Sequence, residues 1–172
     1  MSSRLVLLVV LAALATPLSA AEDDAGVEAG RIGLTVSPPL RSPSIGLLWH
    51  VSDRVALEPH AGFRWTSTPV LDESEHSFAA AVALRFYLRR NGRVTPYLTA
   101  RVSFERHVVE GTQTAGSNNE YGARGGAGLQ YAIHRHVAAF AEAGLGYVRA
   151  YGGDRWSLST ATSRVGLVVY LK

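Results

Sequence analysis

The residues best suited to chemistry stand close together in one short segment, "VALEPHAGFRW" at 55–65. Glu58, His60 and Arg64 occupy even positions there, and residues two apart in a strand share one face of the sheet. A carboxylate and an imidazole on one face are able to reach the same metal ion. A specific metal site needs more than two protein ligands, and the other histidines lie in a neighbouring strand or near strand ends. The segment therefore favours a hydrogen-bonded polar lining over a metal or cofactor site.

A second candidate is "EHSF" at 75–78, which places a histidine beside a serine. A nucleophilic serine needs a base within hydrogen-bond reach. Adjacent residues of a strand point to opposite faces, so His76 and Ser77 are poorly placed to act together. The sequence therefore predicts no catalytic residues and no enzymatic activity.

The elements that carry these residues are predicted to be β-strands. From residue 31 onward, apolar and polar residues alternate with a period of two, which is typical of strands with one apolar face. Eight such segments follow one another. Short connections at 52–54, 90–93 and 134–136 alternate with longer polar ones, which are 38–43, 66–75, 110–119 and 151–154. This order predicts an all-β fold, an eight-stranded antiparallel up-and-down barrel with short turns at one end and longer loops at the other.

The lengths of the strands and the positions of the aromatic residues predict that this barrel spans a membrane. A tilted strand crosses a bilayer with roughly 9–11 residues, and the alternating segments reach that length. Aromatic residues of the apolar face collect near the strand ends, as expected for two interfacial girdles. They are Trp65, Phe104, Tyr121 and Tyr147 near the longer loops, and Trp49, Phe86 and Tyr131 near the short turns.

If the apolar face meets lipid, the polar face fills the interior, where buried charges must be paired. Residues that face each other across a hairpin lie at equal distances from the centre of its loop. This rule predicts three interior ion pairs, namely Glu58 with Arg85, Glu105 with Arg124, and Glu142 with Arg164. His60, Arg64 and Arg101 are predicted to line the same interior.

The first residues are predicted to be a signal peptide, removed before the barrel folds. A short basic start precedes the apolar run "LVLLVVLAALA", and small residues allow cleavage after Ala20 or Ala21. The predicted organisation is residues 1–21 as signal peptide, 22–29 as a short N-terminal segment and 30–172 as barrel. The formal net charge is +3, and +2 without Arg4, which is too balanced to indicate nucleic-acid binding.

Two positions depart from the regular alternation. Pro59 lies inside a predicted strand and has no N–H to donate to a ladder, so it should mark a bulge or a weak point. In the last strand the apolar positions change from even (Trp156, Leu158) to odd (Val165 to Leu171). This change predicts a β-bulge near residues 159–163.

Several features together point to a known family: the predicted leader, the strand count, the asymmetry of the connections, "GAGLQYAIHRHVAAFAEAGLGY" and the ending "RVGLVVYL". With these features, the sequence resembles the small eight-stranded outer-membrane β-barrels of the OmpA and OmpX type. The resemblance covers residues 30–172. It implies a porin-like barrel in the cell outer membrane of a Gram-negative type envelope, surrounded by lipid and lipopolysaccharide. It also implies insertion by the outer-membrane assembly machinery, which reads a C-terminal strand ending in an aromatic residue; here Tyr170 is third from the end and Lys172 is last.

The resemblance leaves the task of the protein open. The expected function is in envelope structure or surface interaction, with the loops as the place where a surface ligand would bind and with a monomeric barrel. A lipid-modifying outer-membrane enzyme is one alternative. A soluble periplasmic, lipocalin-like ligand-binding barrel is another, and it would point Val55, Leu57 and Phe63 inward and leave the arginines in water.

Overall fold

The computed structural model describes residues 27–37, 44–68, 73–89, 92–111, 116–151 and 156–171. They form a closed barrel in which each strand pairs with its neighbours in the sequence and β1 pairs with β8. The strands are β1 Ile32–Ser37, β2 Ser44–His50, β3 Val55–Thr68, β4 Glu73–Tyr87, β5 Val94–Gly111, β6 Gly116–His134, β7 Val137–Tyr151 and β8 Trp156–Tyr170. All eight pairings are antiparallel. The predicted fold class is confirmed.

The predicted signal peptide, residues 1–21, lies outside the described residues, and so do residues 22–26 of the predicted N-terminal segment. Within the described ranges, no helix is long and apolar enough to cross a membrane.

Side chains alternate between a polar interior and an apolar outer surface, because successive residues of a strand point to opposite faces. In β3, Phe63 is 58% exposed while Glu58 is fully buried; in β4, Leu84 is 47% exposed while Arg85 is fully buried. This arrangement is the reverse of the lipocalin-like alternative, which requires Phe63 inside and the arginines in water. The apolar residues instead form a continuous outer belt.

The aromatic residues predicted to form two girdles lie on this outer face. Six of them are between 42% and 66% exposed, namely Trp49, Trp65, Phe86, Tyr121, Tyr131 and Tyr147. Phe104 is half-buried, since its ring packs against that of Tyr121 with 5.3 Å between the ring centroids. We call the end of the barrel with the connections 51–54, 88–93 and 135–136 the turn end, and the opposite end the loop end.

The predicted limits of two loops, 66–75 and 110–119, are wrong. Strand β3 continues to Thr68 and β4 begins at Glu73, while β5 continues to Gly111 and β6 begins at Gly116. Polar side chains do not prevent strand pairing, because the ladder uses backbone N–H and C=O groups. These strand ends extend past the apolar belt. The segments 38–43, 69–72, 112–115 and 152–155 lie outside the described residues.

Both predicted irregularities occur in the ladder. The pairing of β2 with β3 passes from Gly46–His60 to Trp49–Leu57 without pairs between them, and it keeps its register. Pro59 therefore interrupts the ladder without a bulge, because it lacks an N–H. In β8, Gly144 pairs with Thr162 and Gly146 with Ser159, so the register shifts by one residue. The bulge predicted for residues 159–163 is confirmed.

Candidate functional site

The centre of the barrel interior is a cluster of ion pairs around Glu58. Arg85 donates to Glu58 Oε2 from Nε at 3.0 Å and from Nη2 at 2.8 Å. Arg164 donates from Nη2 to Oε1 at 2.8 Å and from Nη1 to Oε2 at 3.1 Å. The second contact is a bidentate fork, which adds both energy and a fixed orientation. One buried carboxylate thus joins arginines from β4 and β8.

Glu142 is the second carboxylate of the cluster. It accepts a hydrogen bond from Arg101 Nη2 at 3.0 Å and one from the Tyr97 hydroxyl at 3.0 Å. Arg85 Nη2 lies 3.5 Å from Glu142 Oε1, and Arg164 Nη1 lies 3.8 Å from the same oxygen. The two glutamates and three arginines therefore form one connected network, which we call the central network.

The three predicted ion pairs have different outcomes. Glu58 and Arg85 are in contact as described above. Glu142 and Arg164 are directly opposite each other in the ladder between β7 and β8, yet their side chains meet at 3.8 Å because the short bonds of Arg164 go across the barrel to Glu58. Hairpin geometry considers neighbouring strands alone, whereas side chains in a narrow closed barrel also reach across it.

The predicted pair of Glu105 and Arg124 is wrong. The ladder between β5 and β6 places Glu105 opposite Glu120 and Arg124 opposite Arg101. The prediction took the middle of the polar segment 110–119 as the centre of the turn. The observed pairing of β5 with β6 has a different centre, so its register differs from the predicted one. Arg124 is exposed, and no ion pair connects it to Glu105 within the described part of the chain.

The remaining predicted interior residues lie at different heights. Arg101 belongs to the central network. His60 is next to it and its Nδ1 lies 3.4 Å from the Glu58 carbonyl oxygen. Arg64 lies nearer the loop end, where its Nη2 is 3.4 Å from Glu75 Oε1 and about a third of its side chain is exposed.

The interior between the central network and the turn end is filled by a layer of aromatic and amide groups. The Tyr87 hydroxyl donates to Gln130 Oε1 at 3.0 Å, and Gln130 Nε2 donates to the Tyr170 hydroxyl oxygen at 2.8 Å. The His50 ring stacks on Tyr87 with 5.4 Å between centroids. Arg31 closes the layer, with its guanidinium carbon 3.8 Å from the centre of the Tyr170 ring. These side-chain contacts link β2, β4, β6 and β8.

One contributor to the interior was missed from the sequence. Phe140 is buried, with the guanidinium carbons of Arg85 and Arg164 4.6 and 4.8 Å from its ring centre; its even position in β7 was the available signal. Tyr97 is also buried inside, and its role depends on Gly128 directly opposite. A Cβ on Gly128 would lie 2.7 Å from the Tyr97 hydroxyl oxygen, so the glycine makes room for the ring that reaches Glu142.

The central network leaves little open space. A cavity of about 30 Å³ lies beside it, lined by Thr99, Arg101, Arg124, Glu142 and Arg164 among others. That volume accommodates one or two water molecules. Each arginine of the network contacts a glutamate, although Arg85 Nη1 and Arg101 Nε are buried without a hydrogen-bond partner among the described residues. The arrangement is therefore suited to holding strands together and closing the interior.

A closed antiparallel barrel of eight strands with an apolar outer face and an ion-paired interior has the fold of the small outer-membrane β-barrels. The N-terminal β-barrel domain of OprF from Pseudomonas aeruginosa is similar, with a TM-score of 0.59 and 17% identity over 85% of this chain and 99% of that chain. The resemblance predicted from the sequence is confirmed at the level of the fold.

Two further solved structures have lower similarity. Neisserial surface protein A gives a TM-score of 0.48 and 17% identity, over 81% of this chain and 92% of that one. Ail, the attachment invasion locus protein of Yersinia pestis, gives 0.47 and 13%, over 82% and 94%. No protein-family model matches the sequence, and no curated protein matches it.

Proposed function

We propose that the protein is an integral outer-membrane barrel that acts in envelope structure or surface interaction through its loop end. The observation that carries this proposal is the distribution of side chains. Large apolar residues cover the outside of a closed barrel, as with Val102 at 62% and Leu145 at 58% exposure, while Glu58 and Arg85 are fully buried inside. Such a surface is stable in lipid and unfavourable in water.

The proposed surroundings are outer-membrane lipid and lipopolysaccharide. Arg106 and Arg149 are exposed on the outer face, two residues beyond the girdle residues Phe104 and Tyr147 of the same strands. At that height they would face the anionic head groups of the outer leaflet. Insertion would depend on the outer-membrane assembly machinery, with Tyr170 near the end of β8 as the aromatic residue of the terminal strand.

We further propose that the barrel is a monomer without enzymatic activity. Closure of β1 on β8 removes the free strand edges through which sheets associate. His76 stacks on the outward Trp65 with 5.4 Å between ring centroids, while Ser77 is buried in the interior. The two residues therefore lie on opposite sides of the wall, which supports a structural role for both. The loops remain the proposed place for contact with a surface ligand.

Cell fractionation combined with gel mobility tests the location. We expect the protein in the outer-membrane fraction, with a change in electrophoretic mobility between unheated and boiled samples, because a closed barrel resists detergent until it is heated. Recovery in the soluble periplasm with no mobility change would contradict the proposal. A periplasmic soluble protein expressed in the same cells provides the control for leakage between fractions.

A planar bilayer measurement tests whether the interior is closed. Because Glu58, Arg85 and Arg164 are bonded across the barrel and the cavity beside them is about 30 Å³, we expect little steady conductance from the purified protein. Large, long-lived channel openings would show that the central network opens in the membrane. A known large porin reconstituted in parallel confirms that the bilayer reports open channels.

A further inference from the structure

The interior side of the loop end carries a second group of charged residues, separate from the central network. Glu105 and His107 come from β5 and Glu120 from β6, and their ligand atoms all lie within 4.8 Å of one another. His107 Nε2 is 3.4 Å from Glu105 Oε1 and 3.9 Å from Glu120 Oε2. We call these three residues the mouth cluster.

The mouth cluster contains two opposed glutamates, and a bound cation would relieve the repulsion between them. Glu105 and Glu120 are directly opposite each other in the ladder between β5 and β6, and like charges in this position destabilise a sheet. The central network neutralises its glutamates with arginines. In the described part of the chain, no arginine or lysine lies within ion-pair distance of either Glu105 or Glu120, and His107 is their shared neighbour.

The spacing of the donor atoms fits a metal ion with short bonds. Donor atoms bound tetrahedrally to Zn²⁺ lie roughly 3.4 Å apart, given bonds of about 2.0–2.2 Å. The two distances from His107 Nε2, 3.4 and 3.9 Å, are close to this value. An imidazole nitrogen favours transition-metal ions, whereas Ca²⁺ and Mg²⁺ prefer oxygen ligands alone.

The other nitrogen of His107 lies near a carboxylate, which is the kind of group that orients a metal-binding histidine. Its Nδ1 lies 3.6 Å from Glu75 Oε1, and Glu75 is in turn 3.4 Å from Arg64 Nη2. A carboxylate on the far nitrogen orients the ring and leaves the near nitrogen to bind the ion. This contact comes from β4 and is independent of the pairing of Glu105 with Glu120.

We propose that Glu105, His107 and Glu120 bind one divalent transition-metal ion, for which Zn²⁺ is the appropriate probe, with Glu75 as a positioning residue. The side chains of the three ligands are 22% to 34% exposed, so an ion reaches them from the loop end. Three protein ligands leave one tetrahedral position open for water or a bound group. The ion neutralises the opposed glutamates and links β5 to β6 beyond the apolar belt.

Isothermal titration of the untagged, chelator-treated barrel in detergent micelles with ZnCl₂ tests the proposal, with CaCl₂ titrated in parallel. We expect one Zn²⁺ per barrel and no Ca²⁺ binding at the same site. His107→Gln and Glu120→Gln should abolish Zn²⁺ binding, and Glu75→Gln should weaken it roughly tenfold to hundredfold. Glu110→Gln and His76→Gln are matched controls on the outer face of β5 and β4, and both should bind Zn²⁺ as the unaltered protein does.

Urea unfolding without Zn²⁺ shows whether a variant that no longer binds the metal still folds. Without Zn²⁺, Glu120→Gln should unfold at the same or a higher urea concentration than the unaltered protein, because it removes the repulsion between opposed carboxylates. The proposal is overturned if the unaltered barrel takes up no Zn²⁺. It is equally overturned if His107→Gln retains full binding, or if Glu110→Gln and His76→Gln lose as much as the ligand variants.

Discussion

Replacing Glu58 by glutamine is expected to destabilise the folded barrel by about 3–5 kcal/mol. Glu58 is fully buried and accepts four hydrogen bonds, two from Arg85 and two from Arg164. Glutamine has nearly the same size, so the change removes a charge without making a cavity. Among the described residues, the fully buried Arg85 then keeps its 3.5 Å contact with Glu142 as its one ion pair. The large expected effect reflects two guanidinium groups that lose their short bonds to a carboxylate inside the barrel.

Urea-induced unfolding of the barrel in lipid vesicles, followed by tryptophan fluorescence, measures this change. Glu110→Gln provides the control, because Glu110 is exposed and the variant carries the same change in charge; we expect a difference below about 1 kcal/mol there. If Glu58→Gln unfolded at the same urea concentration as the control, the central network would not be the structural core of the barrel.

The fold was predictable from the sequence because one periodicity governs the chain. A strand buried on one face and exposed to lipid on the other must alternate, and in β4 the large apolar residues Phe78, Val82, Leu84 and Phe86 all occupy even positions. Loop limits were less predictable, since the Thr and Ser residues at 66–68 look like loop residues but belong to β3. The change from apolar to polar residues marks the end of the apolar belt, whereas the hydrogen-bonded ladder continues beyond it.

The interior was predictable in composition and only partly in its contacts. Hairpin geometry located Arg85 near Glu58, because a small error in the loop centre still leaves two long side chains within reach. The same rule placed Glu105 beside Arg124, where the ladder instead opposes Glu105 to Glu120. It could not have found the bonds from Arg164 to Glu58, because closure of β1 on β8 brings these residues together across the barrel.

Replacing Val82 by arginine is expected to destabilise the barrel in a bilayer by about 2–4 kcal/mol. Val82 is on the outer face of β4 and is 43% exposed. Phe78 and Phe86, four residues away on either side along the same face, place it near the middle of the apolar belt. A guanidinium at that depth must reach toward the interface or draw water into the hydrocarbon, and either response is unfavourable.

Ser74→Arg gives the matched comparison, since Ser74 lies on the same face of the same strand, four residues beyond Phe78 and outside the apolar belt. There an arginine should change the free energy of unfolding by no more than about 1 kcal/mol, because the penalty decreases toward the interface. Urea unfolding in vesicles measures both variants. Equal, small effects at Val82 and Ser74 would mean that the outer belt does not contact lipid, because an arginine at an already exposed position of a soluble barrel meets water. A large effect at Val82 alone would show that the exposed apolar surface contacts the bilayer. That result would support the membrane location.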